Sequence, residues 1–302
     1  MSEEKAAPIE FEEEKEEQVS TDLNPQEINQ NPEQYARQVA AQRATEYDQM
    51  AGFSVPRDFV MLPSKGMIYP PNSPLHNMEE VEVRHLTAAD EDILTSRALL
   101  RSGKAIDTML SNVLMNKSIQ VDELVSGDKN AILTFLRITG YGPEYPVEID
   151  CPGCGDNIKH EFDLSKLTMR FLDINPVAPG ENRFSFLLPS GLELEFKLLN
   201  SAEDAAITEE QEKLKRTTNS PLEKNITTKL KYQITLVDGK DDRTFINNFV
   251  DTMSVRDSRA FRKYLEELEP DVNMKQDFKC RMCGHTEEVD IPVTVGFYWP
   301  ES

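Results

Sequence analysis

The cysteines are the residues of this chain best suited to chemistry. All four fall in two Cys-x-x-Cys-Gly steps, Cys151–Gly155 and Cys280–Gly284. Thiolates three positions apart can bind one metal ion, and the glycine permits the positive φ that turns backbone amides toward the sulfurs. Two steps with no cysteine left over supply the ligands of a tetrahedral site. We therefore predict one structural Zn²⁺ bound by Cys151, Cys154, Cys280 and Cys283.

Other interpretations of the cysteines are weaker. A disulfide within each Cys-x-x-Cys step would be strained, and a thioredoxin-type redox motif would be single and not paired. His285, just after the second step, is an alternative ligand, although its position favours a polar residue on the outgoing strand. Four thiolates leave the ion no open position, so we expect it to stabilise the fold and not to catalyse a reaction.

Strand-like sequence flanks both steps and must position them. Residues 145–150 and 158–162 surround the first step, and Phe278 and residues 288–293 surround the second. This arrangement predicts two hairpins with a cysteine pair at each tip, the architecture of a zinc ribbon. Cys154 and Cys280 are 126 positions apart, which is far for a simple ribbon. We therefore predict a split ribbon with a large insertion at about 165–275.

The sequence predicts an α+β protein in three parts. Residues 1–56 form a disordered acidic tail, in which 31–50 have some helical potential. Residues 57–143 form a domain of short strands and helices, and 144–302 form the split zinc-ribbon domain. Within these parts we predict the following: strands on both sides of a turn at 62–66; a strand at 81–86; a helix starting at Thr87; further helices up to residue 139; a hairpin at 184–196; and helices at 201–217, 221–236 and 244–268, the last broken near Ser254.

Charge and hydropathy limit the possible functions. The 302 residues carry a net charge of −21, which argues against a nucleic-acid-binding surface. The chain begins Met-Ser-Glu-Glu-Lys without an apolar signal segment, and it has no apolar run of transmembrane length. Cysteines grouped as metal ligands fit a reducing cytoplasm. We predict neither a nucleic-acid nor a membrane partner.

Catalytic motifs are absent from the sequence. The four histidines are scattered, and there is neither a nucleophile elbow nor a dinucleotide fingerprint. Carboxylate pairs are abundant, but 54 acidic residues produce such pairs by chance. We expect that the protein is not an enzyme, although an enzyme using zinc or a carboxylate pair stays an alternative.

An ordered series of motifs resembles the baseplate hub proteins, or hub assembly proteins, of T-even-type bacteriophages (myoviruses). The motifs are Leu62–Tyr69 (LPSKGMIY), Val81–Thr87 with Asp90 and Glu91, Gly127-Asp128, Leu136–Ile138 with Tyr141-Gly142, the Cys-Pro-x-Cys-Gly step, and Val295–Pro300. The resemblance covers about residues 58–163 and 278–300. It implies a structural late protein that acts by contact, as scaffold or chaperone, on other hub and tail assembly proteins. The implied location is the host cytoplasm during assembly and the virion tail baseplate.

The terminal aromatic residues are a candidate contact surface. Phe297, Tyr298 and Trp299 are the type of side chain that anchors interfaces, and Trp299 is the chain's one tryptophan. The alternative is that these rings cover the core of the ribbon itself. A different class of function also stays open, namely a cytoplasmic zinc-ribbon adaptor in transcription or proteostasis.

Overall fold

A computed structural model describes residues 55–218 and 225–293, together with Phe297. Backbone contacts divide the chain between Phe53 and Ser54, and the second unit, Ser54–Ser302, is described below. The predicted acidic tail, apart from its last two residues, lies outside the described residues. Tyr298 and Trp299 lie outside them as well.

The described chain mixes helices with short strands. The helices are α1 (Ala88–Thr95), α2 (Arg97–Arg101), α3 (Ala105–Val113), α4 (Ser126–Tyr141), α5 (Ser201–Thr218), α6 (Asn225–Gln233), α7 (Arg243–Thr252) and α8 (Val255–Leu268). The strands are β1 (Arg57–Met61), β2 (Glu80–Arg84), β3 (Glu144–Asp150), β4 (Asn157–Asp163), β5 (Thr168–Arg170), β6 (Phe184–Leu187), β7 (Glu193–Phe196), β8 (Ile234–Val237), β9 (Asp271–Asn273), β10 (Lys275–Lys279) and β11 (Thr286–Asp290).

The strands pair in small antiparallel sheets. The two-stranded pairs in the described chain are β1–β2, β3–β4, β5–β9 and β10–β11, and β6, β7 and β8 form a three-stranded sheet. The β5–β9 pair joins Thr168 to Asn273 and thus brings the two ends of the predicted insertion together. The second hairpin therefore starts close to where the first one finishes.

Polar side chains fix several helix starts. Thr87 donates its backbone N–H to the Asp90 carboxylate at 2.9 Å, which anchors the first turn of α1. Asp242 accepts from the N–H of Phe245 at the start of α7, and Ser254 accepts from the N–H of Asp257 at the start of α8. Such caps satisfy amide donors that have no partner within the helix. They also separate α7 from α8 at the predicted break near Ser254.

The main core combines the N-terminal elements with the predicted insertion. One continuous apolar cluster extends from Val60 to Val272 and includes Leu110, Ile132, Phe196 and Phe261 as fully buried members. The hairpins β3–β4 and β10–β11 have two smaller clusters of their own. The predicted boundary between domains at residue 143 stays a prediction.

Two elements differ from the sequence prediction. Residues 67–69, predicted as a strand after the 62–66 turn, continue as turns, although Ile68 and Tyr69 are buried. The helix predicted to extend to 236 ends at Gln233, and Ile234–Val237 become strand β8 against β7. Long-range pairing to a buried strand outweighed the local helical pattern there.

Candidate metal centre

Two hairpins of matching geometry carry the cysteines. In β3–β4 the last pair is Asp150 with Asn157, and in β10–β11 it is Lys279 with Thr286. Each connection is thus six residues long, begins with the first cysteine and holds the second one three positions later. The same sequence step produces the same turn at two places that are distant in sequence.

The backbone of both turns is closed in the same way. The N–H of Cys151 donates to the carbonyl of Asp156 at 2.9 Å, and the N–H of Cys280 donates to that of His285 at 2.8 Å. Gly155 and Gly284 then donate back to the carbonyls of the first cysteines, at 2.8 and 3.1 Å. These glycines have φ of 77° and 75°, a conformation that side-chain-bearing residues rarely adopt.

The four sulfurs lie at one point between the hairpins. All four Sγ atoms are within 4.8 Å of one another. Sγ of Cys151 is 3.7 Å from Sγ of Cys283, and Sγ of Cys154 is 3.9 Å from Sγ of Cys280. Sulfurs bonded to one tetrahedral ion at about 2.3 Å are about 3.8 Å apart, whereas a disulfide requires about 2.05 Å. The donor set therefore fits a four-sulfur metal site, and all four cysteines are free of disulfides.

Backbone amides point toward the sulfurs. The N–H of Gly153 donates to Sγ of Cys151 at 3.3 Å, and the N–H groups of Met282 and Cys283 donate to Sγ of Cys280 at the same distance. The N–H of Cys283 is the main reason why the pKa of Cys280 is lowered to about 6. These donors stabilise thiolate, the form of cysteine that binds metal.

The pKa values of two other thiols of the cluster, Cys154 and Cys283, are raised. At Cys154 a hydrogen bond from the backbone of Asp156 acts to lower the pKa, but burial and the neighbouring sulfurs raise it to about 12. The pKa of Cys283 is also raised, despite a lowering backbone contact from His285, because Cys280 and burial outweigh it. Four thiolates this close repel one another, so a cation is needed before all four can ionise.

Aromatic and apolar side chains support the cluster. Cys151 and Cys280 are buried with Ile158 and Phe278. The His160 ring packs edge-on against both Phe162 and Phe278, with centroids 4.6 and 5.1 Å away. Burial and the nearby Arg281 lower the pKa of His160, which favours its neutral form. The hairpins thus meet through side chains as well as through the sulfurs.

His285 is placed beside the cluster and not in it. Its Nε2 lies 3.0 Å from Oε2 of Glu287. Its ring also packs on the first turn so closely that a Cβ at Gly153 would lie 2.7 Å from its Cγ. Among the described residues, the four cysteines form the group of potential metal ligands that lie close enough together to hold an ion.

Phe297 belongs to the protein's own core. It is 1% exposed and packs with Tyr145, Phe162, Leu164 and Ile291, its ring meeting that of Tyr145 edge-on at 5.2 Å. A ring buried in this way cannot anchor a partner on the surface, so its predicted contact role is replaced by that of covering the first hairpin. The same prediction for Tyr298 and Trp299 concerns residues outside the described chain.

Asp128 is a buried anchor whose role was not evident from the sequence. Its carboxylate accepts from the N–H of Ser64 at 2.9 Å, from Oγ of Ser64 at 2.6 Å and from the hydroxyl of Tyr69 at 2.7 Å. The Tyr69 oxygen in turn accepts from the N–H of Val125 at 3.1 Å. Two sequence motifs that are distant in the chain, LPSKGMIY and Gly-Asp, therefore form one polar network under the start of α4.

Burial dominates the titration behaviour of this network. It raises the pKa of Asp128, although the hydrogen bonds from Ser64 and Tyr69 oppose the shift. The pKa of Tyr69 is also raised, first by burial and then by the Asp128 charge. The network orients the 62–69 turn, and all three of its side chains are buried.

Gly127 allows α4 to approach the backbone after α8. A Cβ built on Gly127 would lie 1.8 Å from the carbonyl oxygen of Pro270. We expect Gly127→Ala to lower the free energy of unfolding by about 2 kcal/mol or more, because the obstructing atom belongs to the backbone. Gly140 is the matched control in the same helix, since its nearest contact is the flexible Leu86 side chain at 3.0 Å.

Urea denaturation of both variants tests this packing. Gly140→Ala should be close to neutral, because the helix preference of alanine, about 0.5–1 kcal/mol, offsets a small shift of Leu86. Equal stability of the two alanine variants would contradict the close packing of Gly127 on Pro270.

The stretch of sequence that forms this fold and the sulfur cluster matches a known protein family. The family model described as T4 bacteriophage base plate protein matches residues 58–299. The chain belongs to this family, and it is a phage baseplate protein. No curated protein and no solved structure matches the chain.

Family membership determines the coarse function. A baseplate protein contacts other baseplate proteins and belongs to the virion tail. The match gives no support to the alternative of a cytoplasmic zinc-ribbon adaptor. None of the helices in the described part of the chain is long and apolar enough to cross a membrane.

Proposed function

We propose that this protein is a non-enzymatic assembly factor, a scaffold or chaperone, for the central hub of the phage baseplate, stabilised by one structural zinc ion. It acts in the cytoplasm of the infected host, through contacts with other hub and tail assembly proteins. The observation that carries the proposal is the family match over nearly the whole described chain, together with the convergence of all four cysteines.

The metal's role follows from the donor set. Cys151, Cys154, Cys280 and Cys283 would hold Zn²⁺, which has no geometric preference of its own and accepts four thiolates. The ion would supply a cross-link and neutralise charge. With four protein ligands it has no position for water or substrate, which supports a structural role. The two hairpins with their cysteine turns then form a split zinc ribbon.

The cross-link has a topological consequence. Everything between Cys154 and Cys280 forms a closed loop once the two hairpins share an ion. That loop contains α5 to α8 and the β6–β7–β8 sheet, which pack on the N-terminal elements in the main core. The metal would thus fix the position of one end of this long segment relative to the other end.

Affinity purification from infected cells tests the assembly role. A tagged chain should recover proteins of the baseplate hub, and these should be depleted when the tagged chain is the Cys151→Ser/Cys280→Ser double variant. A tag-only sample is the control. Recovery of polymerase subunits or ribosomal factors in place of tail proteins would overturn the proposal.

A further inference from the structure

Helix α8 has a buried apolar face and an exposed cationic face. Phe261, Leu265 and Leu268 are buried in the main core. The opposite face exposes the four basic residues Arg256, Arg259, Arg262 and Lys263, and the two acidic residues Glu266 and Glu267 are exposed near the end of the helix. Lys263 pairs with Glu267 on the next turn at 3.8 Å. None of the three arginines forms an ion pair or side-chain hydrogen bond within the described ranges, 55–218 and 225–293.

The unpaired arginines of α8 are distinguished by their spacing and not by their lack of partners. Exposed cations elsewhere in the described chain occur both with and without a carboxylate partner, and Arg97 and Arg101 have none there. Arg183 lies near both Glu181 and Glu195, for example, and Lys231 pairs with Asp251. The three arginines of α8 instead recur at every third position, which places them along about 9 Å of helix. This segregation of charge leaves a positive strip that a negative partner would complement.

An apolar groove begins where the positive strip ends. A cavity of about 400 Å³ lies between α6 and α8, and Arg262 is part of its lining. Its apolar lining comes from Ile226, Leu230 and Leu265, of which Ile226 is 48% exposed. Val255, at the other end of α8, is 74% exposed. Positive charge and accessible apolar surface are therefore continuous along the helix.

The carboxylate of Glu269, which lines the groove, already has partners within the protein. Oε1 of Glu269 accepts from Nε2 of Gln233 at 2.8 Å and lies 3.6 Å from Nζ of Lys229. Arg170 at the same rim donates to the backbone carbonyl of Glu269 at 2.7 Å. Glu269 therefore does not neutralise Arg262. Glu266, one turn further along α8, also lines the groove, but it forms no ion pair with Arg262 among the described residues, so Arg262 stays available at the groove entrance.

We propose that α8 and the α6–α8 groove form a docking surface for an acidic amphipathic helix of another protein. Carboxylates of the partner pair with Arg256, Arg259 and Arg262, and its apolar side chains enter the groove beside Ile226 and Leu265. In helix-in-groove recognition an amphipathic helix places its apolar face in such a groove, and complementary charges beside the groove add specificity. Nucleic acid fits less well, because an apolar groove gives phosphates no contact and the net charge of −21 repels them. The inference rests on the proposed assembly role and deepens it by naming its contact surface.

The test uses a defined peptide and two charge-matched variants. The probe is a fluorescein-labelled 16-residue helical peptide with leucines on one face and glutamates on the other, with a Gln-for-Glu analogue as control. The surface variant is Arg259→Glu/Arg262→Glu. The matched control is Arg97→Glu/Arg101→Glu on α2, which changes net charge equally at two other exposed arginines without ion pairs in the described chain.

Fluorescence anisotropy should show that the surface variant binds the glutamate peptide at least about tenfold more weakly than wild type, with little change for the α2 variant. The Gln analogue should bind wild type weakly. Metal content and the thermal midpoint should be unchanged in both variants, because the replaced side chains are exposed and unpaired. NMR shifts on peptide addition should fall on α6 and α8.

Three results of the binding experiments would overturn the inference, and a fourth comes from affinity purification. One is equal weakening by both variants, which indicates general charge attraction. Another is equal binding of the two peptides. The third is binding of a dT20 oligonucleotide that is lost only in the surface variant, which would make α8 a nucleic-acid surface. Recovery of hub proteins by a surface variant at wild-type level would refute this surface while leaving the assembly role intact.

Discussion

Replacing Cys280 by serine should abolish binding of the proposed zinc ion and strongly destabilise the fold. Cys280 is 1% exposed and receives two backbone N–H donors, so its loss removes both a ligand and a buried, preorganised thiolate. Structural zinc contributes its binding free energy to folding, and three remaining thiolates bind the ion far less tightly. We expect a loss of about 5 kcal/mol, equivalent to a drop of about 10–20 °C in the thermal midpoint.

The neighbouring Met282 provides the control. It lies between the two cysteines of the same turn, is 74% exposed, and contributes its backbone N–H to Sγ of Cys280. Met282→Ser should retain the backbone donor, the zinc and the stability of wild type. Elemental analysis and calorimetry on both variants measure the effect. A Cys280→Ser protein that keeps the wild-type midpoint would refute a stabilising role of the metal.

Asp128→Ala should have the second largest effect on stability. The substitution leaves three buried donors, the N–H and hydroxyl of Ser64 and the hydroxyl of Tyr69, without their acceptor. Each such unsatisfied group costs about 1–3 kcal/mol, so we expect the free energy of unfolding to fall by about 3–5 kcal/mol. The exposed Asp122, earlier in the chain, gives the matched control. Urea denaturation should find Asp122→Ala within about 0.5 kcal/mol of wild type.

A pH series distinguishes the Asp128 carboxylate from a general packing effect. Because burial raises the pKa of Asp128 in the folded protein, the folded state holds this proton more tightly than the unfolded state. The stability that this provides is complete below the unfolded pKa of about 4 and is lost as pH rises through the folded pKa. The stability difference between wild type and Asp128→Asn should therefore shrink as pH rises above about 4. A difference that grows with pH would contradict the raised pKa.

The sequence was sufficient to predict that the four cysteines come together, because ligand chemistry is local. Each Cys-x-x-Cys-Gly step determines its own turn, and the ligand count of four then requires two distant steps to meet. The hairpin partners of each step are adjacent in the chain, so alternating patterns could place them. Neither inference needs knowledge of the long segment between Cys154 and Cys280, which are 126 positions apart.

Features that depend on distant contacts were harder to predict. Strand β8 continues directly from α6, and its pairing depends on β7, which lies before α5 in the chain. Asp128 looks like one of 54 acidic residues until the structure places Ser64 and Tyr69 against it. The signal that could have identified it is the occurrence of Gly127-Asp128 before an apolar helix. The spacing of the α8 arginines was also visible in the sequence. Only the structure reveals that these arginines lack carboxylate partners in the described chain.

The most direct test of the four-sulfur site is zinc K-edge X-ray absorption on the purified full chain. The proposed site predicts one zinc per chain with four sulfur neighbours at about 2.3 Å and no oxygen or nitrogen ligand. This result would establish that Cys151, Cys154, Cys280 and Cys283 together enclose the ion. A folded protein without metal, or a zinc with fewer sulfur ligands and a bound water, would contradict it.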